Sequence, residues 1–172
     1  MVLHIETPRL LLRPMRVSDA EEMFGNWACD PEVTKYLSWE PHANVEMTRK
    51  VIAMWESELA DPLCIRFGIE WKENHQVIGT IDVVRYIDEQ PEIGYCLSRQ
   101  YWRRGIMTEA VEAVMARLKI LGFKKVYISA NVDNEASNGL IKKLGFTYID
   151  QTYRWFKLKN ANILVNNYVK NI

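Results

Sequence analysis

Gln100-Tyr101-Trp102-Arg103-Arg104-Gly105-Ile106-Met107-Thr108-Glu109-Ala110 joins a predicted strand to the strongest helical pattern in the chain. A glycine at such a junction lets the backbone approach a ligand with no side chain in the way. The first amides of a helix have no intrahelical partner and carry the positive end of its dipole. That arrangement suits phosphate oxygens, and Arg103 and Arg104 add charge beside it. The same residues also fit a tight loop with two solvated arginines, and physics alone leaves both readings open. The GxxxxGK[ST] spacing of a Walker loop is absent.

Downstream, Val111, Val114, Met115, Leu118 and Leu121 recur at helical spacing, which predicts a helix over 108–121 with this stripe buried. Gly122 can take the left-handed stop. Val126, Ile128, Ala130 and Val132 then alternate as a strand. A helix over 135–144 turns Leu140, Ile141 and Leu144 inward and stops at Gly145, and Tyr153 to Val169 reads as two strands around Asn160-Ala161-Asn162. Upstream, Glu92 to Leu97 is a strand, preceded by an Asp88-Glu89-Gln90-Pro91 turn, a strand from Val77 to Arg85, a polar turn at 72–75 and an alternating strand from Leu63 to Trp71. A helix over 44–59 shows Thr48, Val51, Ile52, Trp55 and Leu59 on one face. Ser18 with Glu21 has the spacing of a capping box for a short helix through Met23, Phe24 and Trp27, ending near Asp30-Pro31, and residues 5–16 read as a strand. Strands and helices mix without regular alternation, so the expected class is α+β with a mixed, mostly antiparallel sheet flanked by helices.

The length of 172 residues and the lack of linker, repeat or charge block predict one domain over 1–172. Lys+Arg and Asp+Glu both number 22, so no net charge draws the chain to nucleic acid or an anionic membrane. Neither a signal peptide nor an apolar run of spanning length is visible. Three scattered cysteines and three scattered histidines offer no disulfide framework and no metal spacing, and a reducing cytoplasm is the expected compartment.

The Tyr101 to Ala110 stretch resembles the acetyl-CoA pyrophosphate loop of the GNAT superfamily of N-acetyltransferases, in the branch of the ribosomal-protein N-terminal acetyltransferases (RimJ/RimL-like). Three further segments agree in order: Thr7-Pro8-Arg9-Leu10-Leu11-Leu12-Arg13 with the opening strand, Glu92-Ile93-Gly94-Tyr95 with the central strand, and Asn134-Glu135-Ala136-Ser137 with Lys143-Leu144-Gly145-Phe146 along the later helix. The match runs from about Thr7 to Phe146. It implies a strongly twisted sheet whose fourth and fifth strands splay apart to admit acetyl-CoA as co-substrate. Backbone groups of Tyr95, Cys96 and Leu97 would pair with the pantetheine and acetyl carbonyl, amides of Arg103, Arg104, Gly105, Ile106, Met107 and Thr108 would hold the pyrophosphate, and Asn134 would touch the pantetheine arm. Two positions depart from the pattern: Met107 stands where Gly or Ala is frequent, and Ile141 where many members carry a tyrosine acid.

The implied activity is acetyl transfer from acetyl-CoA to a primary amine, a protein N-terminal α-amine or a small amine, by direct attack in a ternary complex. Such a reaction needs a base for the ammonium, donors for the oxyanion and a proton for the leaving thiolate. Glu92 is the expected base, at the start of the strand that would face the acetyl group, with Asp82 as the other carboxylate in play. Ser137 is the expected acid. Each has a structural alternative: Glu92 a surface carboxylate after a proline, Ser137 a first-turn residue bonded to backbone. Cys96 as an acetyl-enzyme nucleophile is the lesser option, since no His or Lys neighbours it in sequence. Trp27, Tyr36, Trp39 and His42 lie in the early helices that, by the resemblance, wall the acceptor pocket; most of the cluster also fits the core, and any of it that is exposed would favour an acceptor with an apolar or aromatic part.

Two other functions compete. A CoA-binding sensor or partner-binding module with this fold is kept open by the missing tyrosine. A nucleic-acid binder could use Arg99, Arg103 and Arg104 with Tyr101 and Trp102, although the neutral charge opposes it. No metal is expected, and because many relatives dimerise, a homodimer is the oligomer to test.

Overall fold

A computed structural model describes residues 4–172; Met1 to Leu3, the start of the expected domain, lie outside the described residues. One eight-stranded sheet runs through the molecule in the order β1-β2-β3-β4-β5-β6-β8-β7. Its strands are β1 (Ile5–Glu6), β2 (Leu10–Arg13), β3 (Arg66–Trp71), β4 (Gln76–Ile87), β5 (Gln90–Leu97), β6 (Lys125–Asn131), β7 (Thr147–Phe156) and β8 (Ala161–Asn171). Every neighbouring pair is antiparallel except β5 with β6. The mixed, mostly antiparallel sheet expected from the alternating periods is therefore the observed one.

Helices cover both faces because the strands present apolar residues on both. On one face α4 (Ile106–Ile120) and α5 (Glu135–Lys143) close over Ile81, Ile93, Val126 and Ile128, with Val111, Val114, Leu118 and Ile141 as the buried helical stripe. On the other, α1 (Ala20–Met23), α2 (Pro31–Thr34) and α3 (Val45–Glu58) enclose a smaller core of Met15, Met23, Trp27, Ile52, Val77 and Cys96. Gly122 and Gly145 end α4 and α5 with positive φ, as their positions predict. Asn44 caps α3 by accepting the Met47 amide.

Several boundaries differ from the sequence reading. Ser18 is not a helix cap: the chain makes a 3₁₀ turn over Val17–Asp19, and the Asp19 carboxylate takes the Arg16 amide at 2.8 Å while also pairing with Arg13. The alternating stretch becomes strand only at Arg66, and Leu63 is exposed, because the 61–64 segment turns back on its own backbone. The turn between β4 and β5 is two residues, Asp88 and Glu89, both at positive φ, so Gln90 and Pro91 belong to the strand. Helix α4 starts two residues early at Ile106, and Leu121 lies exposed beyond its last turn rather than in the stripe. Strand β7 begins at Thr147, ahead of the expected Tyr153.

Candidate active site

Strands β5 and β6 run parallel yet share a single register pair, Glu92 with Tyr127. Beyond Glu92 the two diverge, so Tyr95, Cys96 and Leu97 keep their ladder to β4 and have no strand partner on the other side among the described residues. Parallel neighbours that part in this way leave main-chain donors and acceptors free at the centre of a sheet, where an extended ligand can use them. A cavity of about 330 Å³ lies along the opening. Its lining includes Thr80 and Asp82 of β4, Glu92, Tyr95 and Cys96 of β5, Ile128 and Ala130 of β6, and Asn134 and Ser137 at the start of α5. Trp27, Tyr36, Trp39 and Trp55 wall it from the α1–α3 side, with Arg66 and Arg154 at its polar edges.

Four polar arrangements meet there. Glu92 is 1% exposed, and each of its carboxylate oxygens is held by an arginine: one by its cross-strand partner Arg85, the other by Arg154 Nη1 at 2.6 Å. Asp82 faces its cross-strand neighbour Arg66 with 3.3 Å between Oδ2 and Nε, while Arg66 reaches Glu58 at the rim at 2.5 Å. Burial raises the Asp82 carboxyl above its ordinary range, and the Arg66 charge recovers only part of that. Cys96 is buried and shares a 3.2 Å contact with the Thr80 hydroxyl, and burial pushes its thiol up to about 11. The Tyr95 hydroxyl lies 2.8 Å from Ser137 Oγ, and burial pushes the phenol up to about 12, against the opposing pull of that bond.

At the far end of the opening, the loop into α4 passes through left-handed backbone at Arg103 (φ 61°) and Gly105 (φ 71°). The first helical bond runs from the Glu109 amide to the Gly105 carbonyl, so the amides of Ile106, Met107 and Thr108 precede it. Glu109 ties this turn to the opening strand. It accepts from the Thr7 hydroxyl at 2.6 Å, the Arg9 amide at 3.0 Å and Arg9 Nε at 2.6 Å, and Arg9 Nη1 donates to the Arg104 carbonyl at 2.8 Å. Burial alone would raise the Glu109 carboxyl, but these donors outweigh it and hold the group below its usual value.

The splayed parallel pair has an anion-suited helix start at one end and a carboxylate-lined cavity at the other. Residues 9–147 match a family profile described as "Acetyltransferase (GNAT) domain". The chain belongs to the GNAT acetyltransferase family. It is 33% identical over 145 residues to the uncharacterized N-acetyltransferase YoaA of Bacillus subtilis, covering 83% of this chain and 81% of that one. Its fold is similar to that of a putative ribosomal-protein-serine acetyltransferase from Vibrio cholerae, with a TM-score of 0.88 at 17% identity over the full length of both. It is also similar to RimL, a ribosomal L7/L12 alpha-N-protein acetyltransferase solved in complex with coenzyme A, with a TM-score of 0.84 at 22% identity and 98% of each chain covered. This GNAT chain is an N-acetyltransferase in fold and family. The splay, expected between the family's fourth and fifth strands, falls between β5 and β6 here because the two-residue β1 is counted.

Of the residues singled out from the sequence of this acetyltransferase, Glu92, Tyr95, Cys96, Asn134 and Ser137 lie together on the cavity, with Leu97 at the end of the same strand. Asn134 caps α5, its side chain accepting the Ser137 amide at 3.2 Å. Arg103, Arg104, Gly105, Ile106, Met107 and Thr108 form the loop and first turn of α4; Ile106 and Met107 bury their side chains in the core, leaving only backbone toward a ligand. Ile141 is fully buried. Trp27 and His42 are buried, His42 with Nδ1 2.7 Å from the Thr48 hydroxyl, whereas Tyr36 and Trp39 are half-buried. Tyr101 lies under Arg104, and Trp102, though exposed, donates its indole N–H to the Leu97 carbonyl at 2.8 Å.

Among the side chains of the site that had not been read from the sequence are Arg66, Arg85, Arg154 and the Tyr95 hydroxyl. Arg85 was within reach, since a two-residue turn at Asp88-Glu89 places it opposite Glu92. Arg154 was not, because 62 residues separate it from Glu92 and nothing local marks it.

Proposed function

We propose that this acetyltransferase transfers the acetyl group of acetyl-CoA to a primary amine, either a protein N-terminal α-amine or a small amine, by direct attack in a ternary complex. The observation that carries the reading is the parting of β5 from β6 beyond Glu92, with a helix start at one end and ionisable side chains at the other. Amides from Arg103 to Thr108 would hold the pyrophosphate at the positive end of α4. Gly105, whose φ of 71° an L side chain tolerates poorly, suits that approach. Main-chain groups of Tyr95, Cys96 and Leu97 would align the pantetheine and hydrogen-bond the acetyl oxygen, and Asn134 would flank the arm.

An α-amine, with an ordinary pKa near 8, or a lysine-type amine, near 10.4, must lose a proton before it attacks the thioester carbonyl. Asp82 is the carboxylate best suited to take that proton, directly or through water, because burial raises its proton affinity toward the working range. Glu92 has both oxygens committed to guanidinium groups, which fits a part in holding Arg85 and Arg154 in place. As the carbonyl reforms and the C–S bond breaks, Ser137, backed by the Tyr95 hydroxyl, would supply the proton to the departing thiolate. Cys96 stays a thiol near pH 7 and forms no acetyl-enzyme.

The test is a thermal-shift titration with acetyl-CoA, with ATP and NAD as controls, followed by CoA release over a panel of peptides and small amines. A ligand at a hundred times its Kd adds about 2.7 kcal/mol, and for a domain of this size each kcal/mol moves the midpoint by roughly 2–4 °C. A saturable rise with acetyl-CoA alone, then CoA release with at least one amine, is expected. No rise at millimolar acetyl-CoA would overturn the reading.

A further inference from the structure

We propose that Trp27 donates its indole N–H to an oxygen of the acceptor, so that the enzyme selects amines bearing a hydrogen-bond-accepting oxygen. This rests on the cavity beside the splay being the acceptor site. Trp27 is 0% exposed and lines that cavity. Its Nε1 is the one buried side-chain nitrogen or oxygen among the described residues that has no hydrogen-bond partner. Buried polar groups in native folds are nearly always paired, so a single unpaired donor beside a cavity calls for a reason.

The surroundings narrow what the partner can be. Indole nitrogen is a donor only, so its partner must be an acceptor atom and cannot be an ammonium. No acceptor among the described residues lies within hydrogen-bonding reach of that nitrogen. Trp27 also sits in an unusual piece of backbone. Residues Phe24–Ala28 form a single wide π turn, closed by the Cys29 amide on the Phe24 carbonyl at 3.2 Å. Such turns are rare and cluster at functional sites, because the extra residue re-aims the side chains that follow. This one is held from both sides, by the His42 amide on the Ala28 carbonyl at 2.8 Å and by Asn26 Nδ2 on the Val77 carbonyl at 2.7 Å. The acceptor's amine belongs at Asp82, which lines the same cavity, and its oxygen at Trp27. A site built to donate to an oxygen rejects the analogue that lacks it, since the donor is then left unpaired.

The experiment compares Trp27→Phe with the unaltered enzyme on isosteric acceptor pairs: 2-methoxyethylamine against butylamine, and 3-methoxypropylamine against pentylamine. The kcat/KM ratio within each pair is compared between enzymes, so that differences in amine basicity cancel. The expected result is a fall in the oxygen preference of roughly tenfold in W27F, the effect of one neutral hydrogen bond. A ratio unchanged within about twofold would overturn the assignment. Should W27F fail to fold, or no amine be turned over, the unaltered ¹⁵N-labelled enzyme decides in the presence of CoA. Its Trp27 indole signal, identified by elimination with Trp→Phe variants at the other tryptophans, should move downfield with 2-methoxyethylamine and not with butylamine. A signal indifferent to both would sink the inference. CoA binding without acetylation of any amine would instead count against the acetyl-transfer reading, leaving the indole signal to decide on Trp27.

Discussion

Replacing Glu92 by Gln separates its two possible roles. The substitution keeps the shape of the side chain and one oxygen acceptor, but removes the charge and turns an NH₂ group toward a guanidinium. Glu92 is 1% exposed, whereas the side chains of Arg85 and Arg154 are 46% and 25% exposed. Breaking a fully buried ion pair costs about 3–5 kcal/mol. Here both cations can recover some hydration, so roughly half that, about 2 kcal/mol, is the expected loss. At roughly 2–4 °C per kcal/mol the melting midpoint should fall by about 4–8 °C. Melting curves and kcat are to be measured on the same preparations. If Glu92 holds the arginines, stability falls and the shape of the pH–rate profile persists. A midpoint within about 1 °C of the unaltered enzyme, with kcat down by a hundredfold or more, would refute this reasoning and return Glu92 to the role of base.

The other carboxylate should behave in the opposite way. Because burial raises the native Asp82 carboxyl above its unfolded value, ionising it costs stability as pH rises through the window between the two, and the cost persists above that window. Asp82→Asn stays neutral, so it should be at least as stable near pH 7. It should also lose the acid limb of kcat/KM and roughly a hundredfold to ten-thousandfold in kcat; an intact acid limb would remove Asp82 as base. Cys96→Ala should keep kcat within about threefold, since a thiol raised to about 11 is no nucleophile near neutrality; complete loss with the fold intact would indicate a covalent acetyl-enzyme. Arg9→Met breaks the ties to Glu109 and to the Arg104 carbonyl, and calorimetry should show acetyl-CoA binding weakened by about fivefold, a discount for the partial exposure of Arg9. Unchanged affinity would show that the loop into α4 keeps its shape without that brace.

What the chain's own order determined is what depends on near neighbours. Alternation with period two marked the strands of the central meander, helical spacing marked α3, α4 and α5, and Gly122 and Gly145 marked the stops of α4 and α5 because only glycine enters left-handed backbone freely. The loop from Tyr101 to Ala110 was legible as a candidate anion site for the same reason, since a glycine, a helix start and two arginines fall within a few residues, although the same residues also fit a tight solvated loop. Errors came where a tertiary contact outbid a local signal. Asp19 serves Arg16 and Arg13 where Ser18 had the spacing of a cap, and a two-residue turn took the place of a four-residue one at 88–91. The candidate chemistry was decided only by the folded sheet. Tyr95 meets Ser137 across 42 residues of sequence, and Glu92 meets Arg154 across 62, because β5 parts from β6 and the C-terminal hairpin folds back beside it. The proton affinity of Asp82 and the lone indole N–H of Trp27 belong to the same category: both are set by which groups burial leaves within a few ångströms, and spacing along the chain does not encode that distance.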